Sequence, residues 1–168
     1  MKKIIVIGSG GAGKSFFSRR LGNALGIPVV HLDRLYWRPN WVEPTKQEWG
    51  ETVRRELARD SWIMDGNYRV TREMRFQACD TIVFLDIPLL VCLYRVLKRS
   101  IISYGKTRPD MADGCKEQID LTFFLWVWNY PNRSRVEVEA ELKLFQNNTT
   151  IFRLRSQKEV EDFLANYS

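Results

Sequence analysis

The sequence predicts an α/β protein of three layers, with a five-stranded parallel sheet between helices and a helical lid inserted in its second half. Three observations lead there. Short β-branched runs alternate with helix-like stretches along the whole chain, the pattern of parallel strands joined by crossover helices. Three of the five strand-like runs end in an aspartate, Asp33, Asp65 and Asp86, and open α/β sheets bind ligands at those carboxyl ends. The first strand-to-helix turn reads Gly8-Ser9-Gly10-Gly11-Ala12-Gly13-Lys14-Ser15, the G-x-x-x-x-G-K-S spacing of a phosphate-binding loop.

Each element follows from local pattern. Lys3–Ile7 is the first strand, and Phe16–Ala24 the helix after the loop. Gly26-Ile27-Pro28 turns the chain into a second strand, Val29–Leu32, ending at Asp33. Thr45-Lys46-Gln47-Glu48 is a capping box, which predicts a helix over Lys46–Leu57. Trp62–Met64 forms the third strand and Thr81–Leu85 the fourth. Pro88 opens a long helix to Ser100, and a polar loop follows from Tyr104 to Gly114. The aromatic stretch Ile119–Trp128 reads as a helix ended by Pro131, and Ser134 caps another to Phe145. Thr149–Leu154 is the fifth strand, and Ser156-Gln157-Lys158-Glu159 caps the last helix. Without repeat, low-complexity tract or linker, residues 1–168 read as one domain, with residues 100–134 as the lid insertion.

Composition narrows the class. With 168 residues, 45% of them hydrophobic, the chain can bury a core without crosslinks. Cys79, Cys92 and Cys115 are scattered, and a single histidine argues against a zinc site. The apolar run after Met1-Lys2-Lys3 stops at Gly8, too early for a signal peptide, and no stretch is long enough to span a membrane. The expected location is the cytoplasm, without membrane partners. A net charge of +6 fits either arginines gathered around polyphosphate or a basic face for nucleic acid.

The loop's glycines let backbone N–H groups turn around a phosphate, and the helix amino terminus adds partial positive charge. Lys14 would reach the β- and γ-phosphates of a nucleotide, most naturally ATP, and Ser15 would offer its hydroxyl to Mg²⁺. Asp65, at the tip of the third strand, is placed to orient that metal or its waters, with Gly66 leaving space for a substrate; the pair also suits a plain turn. Asp33 either accepts a proton from an attacking hydroxyl or caps the next turn. His31 reads as structural. Tyr36, Trp37 and Trp41 suit either a planar acceptor or packing on the neighbouring helix. Arg95 and Arg99, four apart on the long helix, share one face. Arg69, Arg72 and Arg75 follow the Asp65-Gly66 tip, with Lys106 and Arg108 in the polar loop.

Loop, Asp65-Gly66 and paired arginines together resemble the adenylate-kinase-like group of P-loop small-molecule kinases, in which a strand and a proline lead to a helix with two arginines before a mobile lid. Leu85-Asp86-Ile87-Pro88 leads here to Arg95 and Arg99. The resemblance implies that Arg95 lies against the ATP base and that Arg99 reaches phosphates. A closer resemblance, over nearly the whole chain, is to the family of DNA topology modulation proteins (FlaR-like). It rests on Leu32–Trp41, Met64–Tyr68, Lys106–Met111 and Phe124–Pro131. Where adenylate kinases have G-F-P-R, this chain has Gly66-Asn67-Tyr68-Arg69, and their AMP-site sequence is missing between the second and third strands.

The expected function is therefore ATP- and Mg²⁺-dependent phosphoryl transfer to a small molecule, a nucleotide or nucleoside first among the candidates. Lys14, Asp33, Arg95 and Arg99 would carry catalysis, with Asp33, Gly66, Asn67, Tyr68 and Arg69 facing the acceptor. Two other classes are open, a nucleotide-switched DNA-binding regulator and a plain ATPase. The basic aromatic segment Phe123–Arg135 supports the regulator, but Phe123, Phe124, Val127 and Tyr130 recur at helical spacing, which favours core over a base-stacking platform. Both a monomer and a homodimer are compatible with the sequence.

Overall fold

Lys3–Gly8 (β1) lies at the centre of the sheet because its run after Lys3 is apolar: Ile4, Ile5, Val6 and Ile7 are fully buried. The computed structural model describes residues 1–167. From β1 the chain runs through Lys14–Leu25 (α1), Val29–His31 (β2), Leu32–Tyr36 (α2), a 3₁₀ turn at Pro39–Trp41, Lys46–Leu57 (α3) and Trp62–Asp65 (β3). Arg69–Ala78 (α4), Thr81–Leu85 (β4), Leu89–Ile102 (α5) and Leu121–Asn129 (α6) come next. A 3₁₀ turn at Tyr130–Asn132, then Ser134–Phe145 (α7), Thr150–Leu154 (β5) and Gln157–Ala165 (α8) complete the chain.

All strand pairs are parallel, in the order β2-β3-β1-β4-β5. Alternation along β1 feeds two cores. Ile4 and Val6 join Phe17 and Leu21 of α1, Leu93 and Val96 of α5, Val127 of α6 and Phe163 of α8 on one face. Ile5 and Ile7 join Trp49 and Val53 of α3, Phe76 of α4, and Val138 and Leu142 of α7 on the other. The sheet is thus covered on both sides, which is why its strands are apolar on both sides.

The capping box forms as expected: the Thr45 hydroxyl accepts from the Glu48 backbone N–H, and the Glu48 carboxylate accepts from that of Thr45. Two local expectations change. Strand β2 stops at His31, so Asp33 sits in the short helix α2 instead of closing the strand. Helix α4 has no counterpart in the pattern reading, because its buried positions are Thr71, Arg72, Arg75 and Phe76. Two inward-facing arginines hide the apolar stripe that marks a helix.

Candidate active site

The phosphate-binding loop leaves the buried end of β1 and is tightly enclosed. Gly11 takes a φ of 79°, and a Cβ there would meet the Cys92 carbonyl of α5 at 2.3 Å. Helix α5 can therefore lie directly on the loop only if this residue is glycine. Gly13 precedes α1 in the left-handed region, and the first turn of α1 carries no side-chain cap and no acidic residue. Its N–H groups face an anion site without internal competition. Lys14 Nζ donates to the carbonyls of Gly8 and Ser9 at 3.0 and 2.9 Å. Burial lowers the Lys14 pKa, opposed by the charges of Asp33 and Asp65.

Opposite the loop, α2 brings Asp33 toward Tyr68, whose hydroxyl donates to Asp33 Oδ1 at 2.7 Å. Burial raises the Asp33 pKa, while this hydrogen bond and the Lys14 charge pull it down. Tyr36 packs between Trp37, Trp49 and Tyr68, and Trp37 meets Trp41 edge-on. Loop, Asp33 and aromatic wall line one cavity of about 990 Å³, together with Arg95, Arg99, Arg108 and Trp126.

The arginines come from α5 and from the segment after it. Arg95 donates to the carbonyl of Ala12 at 3.5 Å and to Gln157 Oε1 at 2.8 Å, beside the loop. Arg99 lies over the Phe123 ring, and burial lowers its pKa. Glu117, only 6% exposed, ties this region together. Its carboxylate accepts from the Ser100 hydroxyl at 3.2 Å and pairs with Arg99 at 3.4 Å and Arg108 at 2.8 Å. Nothing in the sequence reading singled out Glu117 or Asp110, because each becomes buried only when the chain between α5 and α6 folds back.

Several expected site residues lie outside this cavity's walls. The carboxylate of Asp65, 4% exposed, is held by His31 Nδ1, 3.0 Å from both oxygens. Burial opposes a charge on His31, but the hydrogen bond and charge of Asp65 raise its pKa overall. Asn67 lines the cavity, yet its amide is committed to the backbone N–H and carbonyl of Gly8 at 3.2 and 2.9 Å. Gly66 and Tyr68 also line it, whereas exposed Arg69 pairs with Glu137 at 3.1 Å beside a smaller groove. Gly8, Ser9 and Ala12 shape the loop without facing the chamber.

Arg72 and Arg75, read with the phosphate-facing arginines from sequence, have other partners. Arg72 pairs with Glu141. Arg75, fully buried, donates to the carbonyls of Gly66, Asn67 and Tyr68. It holds the loop between β3 and α4, where Tyr68 has a φ of 21°. Asp86, the third strand-end aspartate, pairs with Arg135 and Arg153.

Mg²⁺ prefers oxygen donors and is usually held by one or two protein groups together with substrate phosphates. The Ser15 hydroxyl and the carboxylates of Asp33 and Asp110 at the cavity wall fit that pattern. Among the described residues, no group of three His, Cys, Asp or Glu side chains is arranged to hold a metal by itself. None of the described helices is long and apolar enough to cross a membrane.

No protein-family model matches the chain, and no curated protein matches its sequence. Solved structures do match its fold. Shikimate kinase from Acinetobacter baumannii, in complex with shikimate, aligns with a TM-score of 0.58 at 14% identity, over 99% of this chain and 90% of that one. A gluconokinase from Sinorhizobium meliloti 1021 aligns at 0.54 and 17% identity, over 98% and 92% of the two chains. A sugar kinase from Janibacter sp. HTCC2649 aligns at 0.50 and 11% identity, over 99% and 94%. The chain thus has the α/β fold of these P-loop kinase structures: a five-stranded parallel sheet flanked by helices.

Proposed function

We propose that this chain is a cytoplasmic kinase-type phosphotransferase, which moves the γ-phosphoryl group of ATP, bound with Mg²⁺, to a hydroxyl of a small molecule, a nucleoside or nucleotide. One observation carries the reading: a phosphate-binding loop and the half-buried Asp33 carboxylate with an aromatic wall share a single cavity of about 990 Å³. That volume is at the upper end for small-molecule sites, which allows a donor and an acceptor together. The kinase folds to which the chain is similar support the class of reaction, and the aromatic wall of Tyr36, Trp37 and Trp41, packed edge to face, supports a planar acceptor.

In this reading the loop from Gly8 to Ser15 cradles the phosphates, and Lys14 leaves the Gly8 and Ser9 carbonyls for the β- and γ-oxygens. The chemistry supplied by Mg²⁺ in such a site is neutralisation of charge developing on those oxygens, with Ser15 as its protein ligand and Asp65 behind it. Asp33 takes the proton of the acceptor hydroxyl as its oxygen attacks the γ-phosphorus. The bond to the β-phosphate oxygen breaks, and ADP leaves. Arg95 lies along the nucleotide base and Arg99 reaches the transferring group. Residues 100–134 act as a lid that excludes water, since hydrolysis competes with transfer.

The resemblance to the DNA topology modulation proteins belongs to the same reading, as a family with a kinase's residue pattern. DNA binding through Phe123–Arg135 is not favoured. Val127 is fully buried, Tyr130 nearly so, and Arg135 is paired with Asp86 and Glu139. Asp33→Asn tests the division of labour. ATP affinity should be kept while transfer falls on the order of a hundredfold or more. Transfer at the wild-type rate would remove Asp33 from the reaction.

A further inference from the structure

Between α5 and α6 the chain makes a small hairpin that reaches back over the cavity. The Gly105 N–H donates to the Glu117 carbonyl, and the Glu117 N–H to the Lys106 carbonyl, both at 2.9 Å. Thr107 and Lys116 form an antiparallel bridge between these arms. The far end is fastened to the acceptor wall, where Trp41 Nε1 donates to the Lys116 carbonyl and Cys115 Sγ to the Arg38 carbonyl, each at 3.2 Å. This hairpin carries Asp110, 8% exposed, into the cavity, whose wall it shares with Ser15.

That position has an electrostatic consequence for a polyphosphate on the loop. Ser15 belongs to the first turn of α1, so a phosphate held by that turn brings its oxygens toward the Asp110 carboxylate. The two negative groups would meet where little water can screen them. Arg108 pairs with Asp110 at 3.1 Å and with Glu117 at 2.8 Å, and Arg99 meets Glu117 at 3.4 Å, so the two arginines are already matched by two carboxylates before a polyphosphate adds its charge. A divalent cation between carboxylate and phosphate removes the repulsion and uses the oxygens of both.

We propose that Asp110 makes triphosphate binding conditional on a divalent cation, by placing a fixed negative charge beside Ser15 that only the metal complex of the nucleotide tolerates. The inference rests on the reading of the loop as an ATP site. Calorimetric titration of ATP into the full chain tests it, with EDTA and with excess Mg²⁺, for wild type, Asp110→Asn and Asp110→Ala. Wild type should bind in Mg²⁺ and far more weakly in EDTA. Both variants should bind ATP in EDTA at least about tenfold more tightly than wild type, so that the ratio between the two conditions narrows. The Arg108→Gln/Asp110→Asn double variant should keep the gain. Its loss would assign the effect to the freed guanidinium and overturn the role of the carboxylate. An unchanged ratio in the single variants would overturn the inference alone, whereas no ATP binding by wild type in either condition would overturn the nucleotide-site reading with it.

Discussion

The Tyr68 hydroxyl is hydrogen-bonded to Asp33 Oδ1 at 2.7 Å, across the cavity from the phosphate-binding loop. Burial favours the neutral acid at Asp33, while this bond and Lys14 favour the carboxylate, and burial prevails. A base must be ionised to accept a proton, so activity should rise with pH through a limb lying above the ordinary carboxylate range. Tyr68→Phe removes a stabilising donor, raises the Asp33 pKa further and should move that limb upward. The check is kcat/KM against pH for both proteins; coincident acid limbs would dissociate Asp33 from proton transfer.

Lys14→Ala should fold normally, since the hydrogen bonds of the wild-type ammonium go to the loop carbonyls of Gly8 and Ser9. A charged hydrogen-bond donor is worth about 1.5–3 kcal/mol, so ATP affinity should fall roughly ten- to a hundredfold. Calorimetry measures the loss, and circular dichroism establishes that the variant is folded.

Glu117 is the buried counter-charge of Arg99 and Arg108. Removing one partner of such a group costs about 3 kcal/mol, because Arg99 loses its counter-charge and Arg108 keeps only Asp110. In Glu117→Ala the amide protons of residues 105 and 117, which close the hairpin, should exchange about a hundredfold faster while those of β1 are unaffected. Hydrogen-exchange mass spectrometry reads this directly. Equal protection would mean that the hairpin holds without Glu117.

Arg75 serves stability more than charge. Arg75→Leu would leave the carbonyls of Gly66 and Asn67 without the guanidinium donor, while that of Tyr68 keeps Thr71, and should cost about 3 kcal/mol. For a chain of this size the expected fall in Tm is at least about 6 °C, measured by thermal denaturation.

The frame of the fold was legible because its signals are local. The loop motif, the five strand-like runs, the capping box at Thr45 and the Ser156 cap each lie within a few residues, and each forms in its expected part of the chain. Helix α4 was hidden because its inward face carries Arg72 and Arg75, whose partners come from elsewhere in the structure. The second strand reads one residue too long, through Leu32 to a closing Asp33, since nothing local marks β2 as ending at His31. The link between His31 and Asp65 requires β2 and β3 to be neighbours in register, which is a property of the sheet order. Glu117 and Asp110 lie in a segment with ordinary polar composition, and only its folding back over the loop gives them buried partners.

Phosphorus NMR of the protein with Mg²⁺-ATP and a panel of nucleosides and nucleotides, run beside Lys14→Ala, follows the fate of the γ-phosphoryl group itself. A new phosphate ester or anhydride resonance that grows with ADP in the wild type, and is absent in the variant, is the expected result. Release of inorganic phosphate alone with every acceptor, or transfer that persists in Lys14→Ala, would contradict phosphoryl transfer at this loop.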